Sequence, residues 1–525
     1  MVFELHLFMI TKEIPRVLLV ILDGFGEGPD SPGNAITQAN MTFLNELKKT
    51  HAVTTLKASG NAVGLPEGNQ GNSEVGHFTM GSGRITFQSL EMINQSIKSK
   101  KFQEMDMFKI MLKSVHENKN KALHLMGMIS DEGVHAHIEH LFVLLEMAKK
   151  AEAFPIHIHA ILDGRDVPEK SADIYLKQIQ NKLDELELNE VASIATIMGR
   201  FYGMDRDSNW ERTQEAYELI INGKGKQANT PLEAIQDAYE NGAQTDYYVP
   251  PIVLNNEGTI KNNDALIFFN FRTDRSRQLT DALLNKKFDQ FEASHEGIDF
   301  IAMGPFTKLA PIAFPAPIIK NNLTEYLSNN KIHQLRAAET EKYAHVTYFF
   351  NSQIEHAQDR EHRLMVKSPK CDSFAEKPEM SAQKLTDELI KELEKKQEDP
   401  TKYQFVAVNY ANADLVGHAG DLAPTIECCR VIDKCLSELI PAALKLQFTV
   451  IVTADHGNAE QMFYEDGSAC PSHTTNPVIG LFANQSKQFK LRQDAGLQDI
   501  SPTILELLNL EKPAEMTGST IIQKQ

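Results

Sequence analysis

Short, nearly unbroken apolar runs recur along this chain, and several of them end in an aspartate or an arginine. They fall at residues 17–22, 122–129, 156–162, 191–198, 265–271, 405–410, 448–453 and 478–482. Longer amphipathic stretches lie among them, at 138–151, 172–186, 210–221, 382–395, 425–440 and 501–508. A strand that is apolar on both faces must be covered on both faces, and the cover that alternates with it in sequence is helix. The pattern predicts an α/β chain built on parallel sheets. With 525 residues there is material for about two to four domains. Two seams stand out. One is the polar, glycine-rich stretch 60–83; the other is 311–317, where Pro311, Pro315 and Pro317 can continue neither a helix nor a central strand. Acid and histidine clusters lie before the first seam and after the second, with an arginine-rich set between. That arrangement predicts one domain inserted into another, so that the two ends of the chain fold together.

The apolar fraction of 42% and charged fraction of 24% are ordinary for a globular protein. A net charge of −18 without a lysine or arginine stripe argues against nucleic acid and anionic membrane as partners. The five cysteines (371, 428, 429, 435 and 470) are odd in number and contain no C-x-x-C pair. A disulfide framework or a thiolate zinc site is therefore not expected, and a reducing cytoplasm is. No apolar run reaches the roughly 20 residues that span a bilayer. The start, residues 1–10, lacks the basic lead of a signal peptide and reads as part of a short extension, 1–14.

Asp23 closes the run Val-Leu-Leu-Val-Ile-Leu-Asp-Gly; Asp414 and His418 follow the run that ends at Tyr410; Asp455 and His456 close Val-Ile-Val-Thr-Ala-Asp-His; His473 lies in Pro-Ser-His-Thr-Thr. Residues just beyond the carboxyl ends of parallel strands converge on one crevice. Taken singly, an Asp-Gly is a turn, Asp414 and His418 are a helix-face pair, and His473 is a loop histidine. Together the six predict a two-metal site, and carboxylate with imidazole suits Mn²⁺ or Zn²⁺. Ser73, in Gly-Asn-Ser-Glu-Val-Gly-His, can be a helix N-cap or a nucleophile activated by a cation. It is not a hydrolase elbow, because Val75 stands where that motif requires glycine. The inner set comprises His135, Arg165, Asp166, Arg200, Arg206, Arg272 and Arg275. The guanidinium fork pairs bidentately with phosphate or carboxylate, so the set predicts a small cationic pocket for an anion in an acidic protein.

From about Arg16 onward these motifs resemble the cofactor-independent phosphoglycerate mutases of the alkaline phosphatase superfamily. The most specific strings are Gly71-Asn-Ser-Glu-Val-Gly-His77, Leu162-Asp-Gly-Arg-Asp166, Glu339-Thr-Glu-Lys-Tyr343, Lys377-Pro-Glu-Met-Ser-Ala382 and Thr453-Ala-Asp-His-Gly-Asn458. The resemblance implies an alkaline-phosphatase-like parallel-sheet domain from residues 1–86 and 319–525, with a second α/β transferase domain inserted at 87–318. It implies two Mn²⁺ ions, other divalent metals being possible. One would be held by Asp414, His418 and His473, the other by Asp23, Ser73, Asp455 and His456. His135, Arg165, Asp166, Arg200, Arg206, Arg272, Arg275 and Lys342 would line the substrate pocket, and Ser73, Asp166 and Lys342 would be catalytic. The implied activity is the interconversion of 3-phosphoglycerate and 2-phosphoglycerate in glycolysis and gluconeogenesis through a phosphoserine, without bisphosphoglycerate, by a cytoplasmic monomer. A phosphomonoesterase or phosphopentomutase of the same superfamily would share the metal side but not the Arg165–Asp166 pocket. Retention of all seven metal-side residues argues against a catalytically dead binding protein. Ser352 and Gln353 stand where the family usually has two glycines, and the stretches to Arg363 and from Cys371 to Glu376 are also atypical.

Overall fold

The computed structural model of the chain describes residues 15–293, 297–395, 402–486 and 488–523. The N-terminal extension 1–14 lies outside the described residues. The chain divides into two compact units, Met1–Phe87 with Ile318–Gln525, and Gln88–Pro317. In chain order the first unit supplies β1 (Arg16–Leu22) and β2 (Ala52–Leu56). The second supplies β3 (Leu123–Ile129), β4 (Ile156–Leu162), β5 (Ala192–Gly199), β6 (Lys226–Gln227), β7 (Ile252–Val253), β8 (Ala265–Phe268) and β9 (Asp299–Ala302). The chain then returns with β10 (Gln334–Glu339), β11 (Glu361–Val366), β12 (Phe405–Tyr410), β13 (Phe448–Thr453) and β14 (Val478–Ala483).

Among the described residues each unit builds one sheet, in the order β11-β10-β12-β1-β13-β14-β2 and β6-β7-β5-β4-β3-β8-β9. β1, with every residue buried, runs parallel between β12 and β13; β3 runs parallel between β4 and β8. These are the apolar runs that helices cover on both faces. Each unit has its own apolar core: Val17–Leu22 (residues 17–22) belong to one, and Leu123, Leu125 and Ile156 to the other.

The sheets are not wholly parallel. β14 is antiparallel to both β13 and β2, and β7 is antiparallel to β5. The chain passes from β13 to β14 without a helix among the described residues, and the crossover that brings a strand back parallel is usually a helix. The apolar run at 265–271 pairs as a strand only to Phe268. The helix expected at 425–440 extends over Leu422–Lys445, opened by the Asp421 side chain accepting from the Ala423 amide. Among the strands of the first unit that apolar runs do not announce, β10 alone of the described ones lies inside the sheet rather than at its edge. It buries Gln334, Arg336 and Glu339, and Arg336 Nη2 donates to Thr324 Oγ1 at 2.8 Å and to Gln334 Oε1 at 2.7 Å. All five cysteines are free, and no described helix is long and apolar enough to cross a membrane.

Candidate active site

Asp23 follows the last residue of β1, and Gly24 lets the chain turn away at once. Its φ is +72°, and a Cβ there would stand 2.7 Å from Asp414 Cα. Asp414 sits in the helix Asn412–Gly417, and His418 is the residue after it; both follow β12. Asp455 and His456 follow β13. Ser73 is the first residue of the helix Ser73–Ser82, and Asn72 is its cap, accepting from Val75 N at 3.0 Å. Ser73 is thus freed from capping, at the end of the helix that favours an anion.

These side chains meet. Ser73 Oγ is 3.1 Å from Asp23 Oδ1, 3.0 Å from His456 Nε2 and 2.7 Å from Lys342 Nζ. Lys342 also donates to Asp23 Oδ1 and Asp414 Oδ2, both at 2.6 Å. Burial pulls the Lys342 ammonium towards neutrality, but Asp23, Asp414 and Asp455 outweigh it and hold its pKa above the lysine range. Burial pushes the Asp23 carboxyl up, and Lys342 and His456 overcome that, so it lies below the carboxylate range; Asp414 is held low in the same way, with His418 and His473 adding to Lys342. His456 is pulled down by burial and pushed up further by Asp455, Asp23 and Asp414, to about 9.

A second knot lies beside the first. His418 Nδ1 faces the Pro471 carbonyl at 2.7 Å, and His473 Nδ1 faces the Gly71 carbonyl at 2.8 Å. A carbonyl can only accept, so both Nδ1 atoms donate, and in the neutral rings both Nε2 atoms carry lone pairs. Those Nε2 atoms lie 3.1 Å apart and 3.2 and 3.1 Å from Asp414 Oδ1. The two imidazole nitrogens and the carboxylate oxygen turned on one point are a set that a cation, whether a proton or a metal ion, would fit. Among the described residues, three groups have the geometry to hold a metal ion: Asp414, His418 and His473; Asp23, Asp414 and His456; and Asp23, His77 and Asp455.

In the second unit, Asp166 and Arg165 follow β4, Arg200 follows β5, and Arg272 and Arg275 follow β8. Arg200 is buried, donating to Asp163 Oδ1 and Asp166 Oδ2 at 2.6 Å each and facing His135 Nε2 at 3.0 Å. Burial, aided by Arg200, lowers His135 to about 4, so its ring is neutral at pH 7. Arg206 pairs with Asp274 Oδ2 at 2.7 Å, and Arg272 with Asp274 Oδ1 at 3.2 Å. Arg275 is buried and donates to the Met204 carbonyl at 3.1 Å. Arg165 is exposed, and among the described residues its guanidinium has no hydrogen-bond or ion-pair partner. Lys342, grouped with these arginines by the resemblance, belongs to the first unit's cluster with Ser73.

The family model described as the BPG-independent PGAM N-terminus matches residues 93–308. The 2,3-bisphosphoglycerate-independent phosphoglycerate mutase of Moorella thermoacetica is 42% identical over 516 residues, which cover 97% of this chain and 98% of that protein. The enzyme of the same name from Clostridium acetobutylicum is 43% identical over 515 residues, 97% of this chain and 99% of its own. The chain belongs to the 2,3-bisphosphoglycerate-independent phosphoglycerate mutases. A solved phosphoglycerate mutase of Leishmania mexicana, determined at low cobalt concentration, is similar in fold, with a TM-score of 0.60, 30% identity and coverage of 98% of this chain and 99% of its own.

Several residues of the two candidate clusters, one in each unit, were not singled out as ligands or substrate contacts by the sequence. His77 lies on the helix of Ser73 with Nδ1 3.2 Å from Asp455 Oδ2 and Nε2 3.1 Å from Asn409 Nδ2, and Asn409 in turn donates to Asp23 Oδ2 at 2.7 Å. Its i, i+4 spacing from Ser73 and its place at the end of the string from Gly71 to His77 were the available clues. Asp163 and Asp274, which gather the second unit's cations, stand beside the arginines in sequence, Asp163 shortly before Arg165 and Asp274 between Arg272 and Arg275.

Proposed function

We propose that this mutase interconverts 3-phosphoglycerate and 2-phosphoglycerate through a phosphoserine at Ser73. The observation that carries this reading is the position of Ser73 Oγ, within 3.1 Å of Asp23 Oδ1, His456 Nε2 and the Lys342 ammonium. The facing lone pairs of Asp414, His418 and His473, and the carboxylates of Asp23 and Asp455 with the His456 imidazole, suit divalent ions of the Mn²⁺ or Co²⁺ kind. Asp414, His418 and His473 would hold one, and Asp23, Ser73, Asp455 and His456 the other. The ions supply positive charge that favours the serine oxyanion and the phosphoryl oxygens.

In the proposed reaction Ser73 Oγ attacks phosphorus and the bond from phosphorus to glycerate O3 breaks. Lys342 stabilises charge on the phosphoryl oxygens. Asp166, held by Arg200, carries the proton given to O3 and later taken from O2. Glycerate O2 then attacks the phosphoserine, which regenerates Ser73. Arg165, Arg206, Arg272, Arg275 and the neutral His135 bind the carboxylate and phosphate of the substrate. The phosphoryl group is returned to the glycerate it came from, so bisphosphoglycerate is not needed. The assignment gives residues 1–86 with 319–525 the phosphoryl-transfer role and 87–318 the substrate-binding role, in a cytoplasmic, glycolytic enzyme that acts as a monomer.

The test is rapid quench of the purified enzyme with ³²P-labelled 3-phosphoglycerate and Mn²⁺, followed by peptide mapping. Label is expected on Ser73, and Ser73→Ala is expected to lose both the label and turnover measured through enolase. Turnover of Ser73→Ala within tenfold of the parent would exclude the serine route.

A further inference from the structure

A further buried carboxylate stands behind the cluster and takes no part in the proposed chemistry. Glu460 is only 2% exposed, yet no lysine or arginine pairs with it among the described residues. Four donors satisfy it instead. Its Oε2 accepts from Gly26 N at 3.0 Å and Asn458 N at 2.8 Å, and its Oε1 accepts from Asn476 Nδ2 at 3.0 Å and from the Thr474 hydroxyl. Each of the three loops that supply these donors also bears a proposed ligand. Gly26 is on the loop that begins with Asp23, Asn458 follows His456 closely, and Thr474 adjoins His473.

The surroundings are shaped for this side chain. A Cβ at Gly26 would stand 2.2 Å from Glu460 Cδ, and one at Gly457 would stand 2.2 Å from Glu460 Oε1 and 2.3 Å from Thr474 Oγ1. Backbone bonds join the same loops, from Thr474 N to Gly457 O and from Ala459 N to Gly24 O, both at 3.0 Å. A carboxylate presents acceptors on both oxygens, which is what four converging donors require; an amide would turn its NH₂ against two of them.

We propose that Glu460 is a positioning residue for the metal centre: its carboxylate locks the His473 loop to the loops of Asp23 and His456, setting the distance between the two proposed ion sites. The proposal rests on the reading of these side chains as divalent-cation ligands. Groups that orient metal ligands from behind typically account for about 10- to 100-fold in metal affinity.

The experiment is a Co²⁺ titration of the full, metal-stripped chain, followed by visible absorption and by melting with and without metal. The variants are Glu460→Gln, Thr474→Val and Thr474→Ser. The parent is expected to bind Co²⁺ with a visible d–d band. Glu460→Gln and Thr474→Val are expected to weaken binding about 10- to 100-fold and to shift the band, and Thr474→Ser, which keeps the hydroxyl, to restore both. At saturating metal, KM for 3-phosphoglycerate should stay at the parent value while kcat falls. If Glu460→Gln does not fold, the Thr474 pair carries the test. Parent-like Co²⁺ affinity and spectrum in Thr474→Val would overturn the positioning role, as would an equal loss in Thr474→Ser. Failure of the parent itself to bind Co²⁺ would overturn the cation reading, and the proposal with it.

Discussion

Lys342 concentrates the electrostatics of the cluster in one ammonium, which touches Asp23, Asp414 and Ser73 within 2.7 Å. Removing one partner from a buried charge set leaves the others uncompensated, typically about 3–5 kcal/mol. Lys342→Met should therefore destabilise the metal-free protein by about that amount, and saturating Mn²⁺ should recover much of it by supplying positive charge to the same carboxylates. Urea melts with EDTA and with Mn²⁺ decide this; an equal loss under both conditions would mean that Lys342 acts through packing alone. At this scale the ligand-type residues were legible because acids and imidazoles after apolar runs are rare and carry chemistry. His77, Asn409 and Glu460 were not, because a buried polar residue shows its purpose only through its partners. Asn409 meets His77 across 332 positions of sequence.

Among the elements, the tight turn after the helix that ends near Phe350 departs from what its residues prefer. Ser352 and Gln353 have φ of +58° and +67°, the left-handed region in which a side chain costs about 1–2 kcal/mol, and the Ser352 hydroxyl is buried without a partner among the described residues. The double substitution Ser352→Gly, Gln353→Gly should stabilise the first unit by about 1 kcal/mol or more, read as a higher urea midpoint at unchanged m-value. A lower midpoint would show that these side chains make contacts worth more than the strain. In the second unit, β3 and β4 bring His124, His157 and His159 together. His124 Nδ1 is 3.0 Å from His159 Nε2, His124 Nε2 is 3.2 Å from Asp264 Oδ2, and His159 Nδ1 is 2.9 Å from Thr196 Oγ1. Burial lowers all three, His157 to about 4. A histidine whose folded pKa lies below its unfolded 6.5 contributes fully above pH 6.5. Its contribution is lost as pH falls towards 4, where the unfolded chain binds the proton and the folded one does not. His157 alone should account for a loss on the order of 2 kcal/mol between pH 7 and pH 5. The pH slope of stability in metal-free buffer should flatten in His157→Gln, and parallel slopes would refute the assignment. Both strands were plain from their apolar runs, whereas β10 was hidden by Gln334, Arg336 and Glu339, whose cost is partly offset by hydrogen bonds invisible in a one-dimensional pattern.

For the whole molecule, two apolar cores drawn from separate stretches of chain predict two unfolding transitions in calorimetry. The proposed ligands all belong to one unit, so Mn²⁺ at 100 times its Kd should stabilise that transition by about 2.7 kcal/mol for each ion bound and leave the other in place. A single transition, or two that move together with metal, would contradict this. The α/β class, most central strands and the family were already written in the sequence, because hydrophobic period and short strand-end strings are local properties. The antiparallel β14, the polar β10, the placement of Lys342 beside Ser73 and the carboxylate of Glu460 behind three loops were not. Lys342 and Asp23 are 319 residues apart, and Glu460 and Gly26 are 434 apart. Their meeting is set by the order in which strands pack side by side, and a run of neighbouring residues carries no energy term that depends on that order.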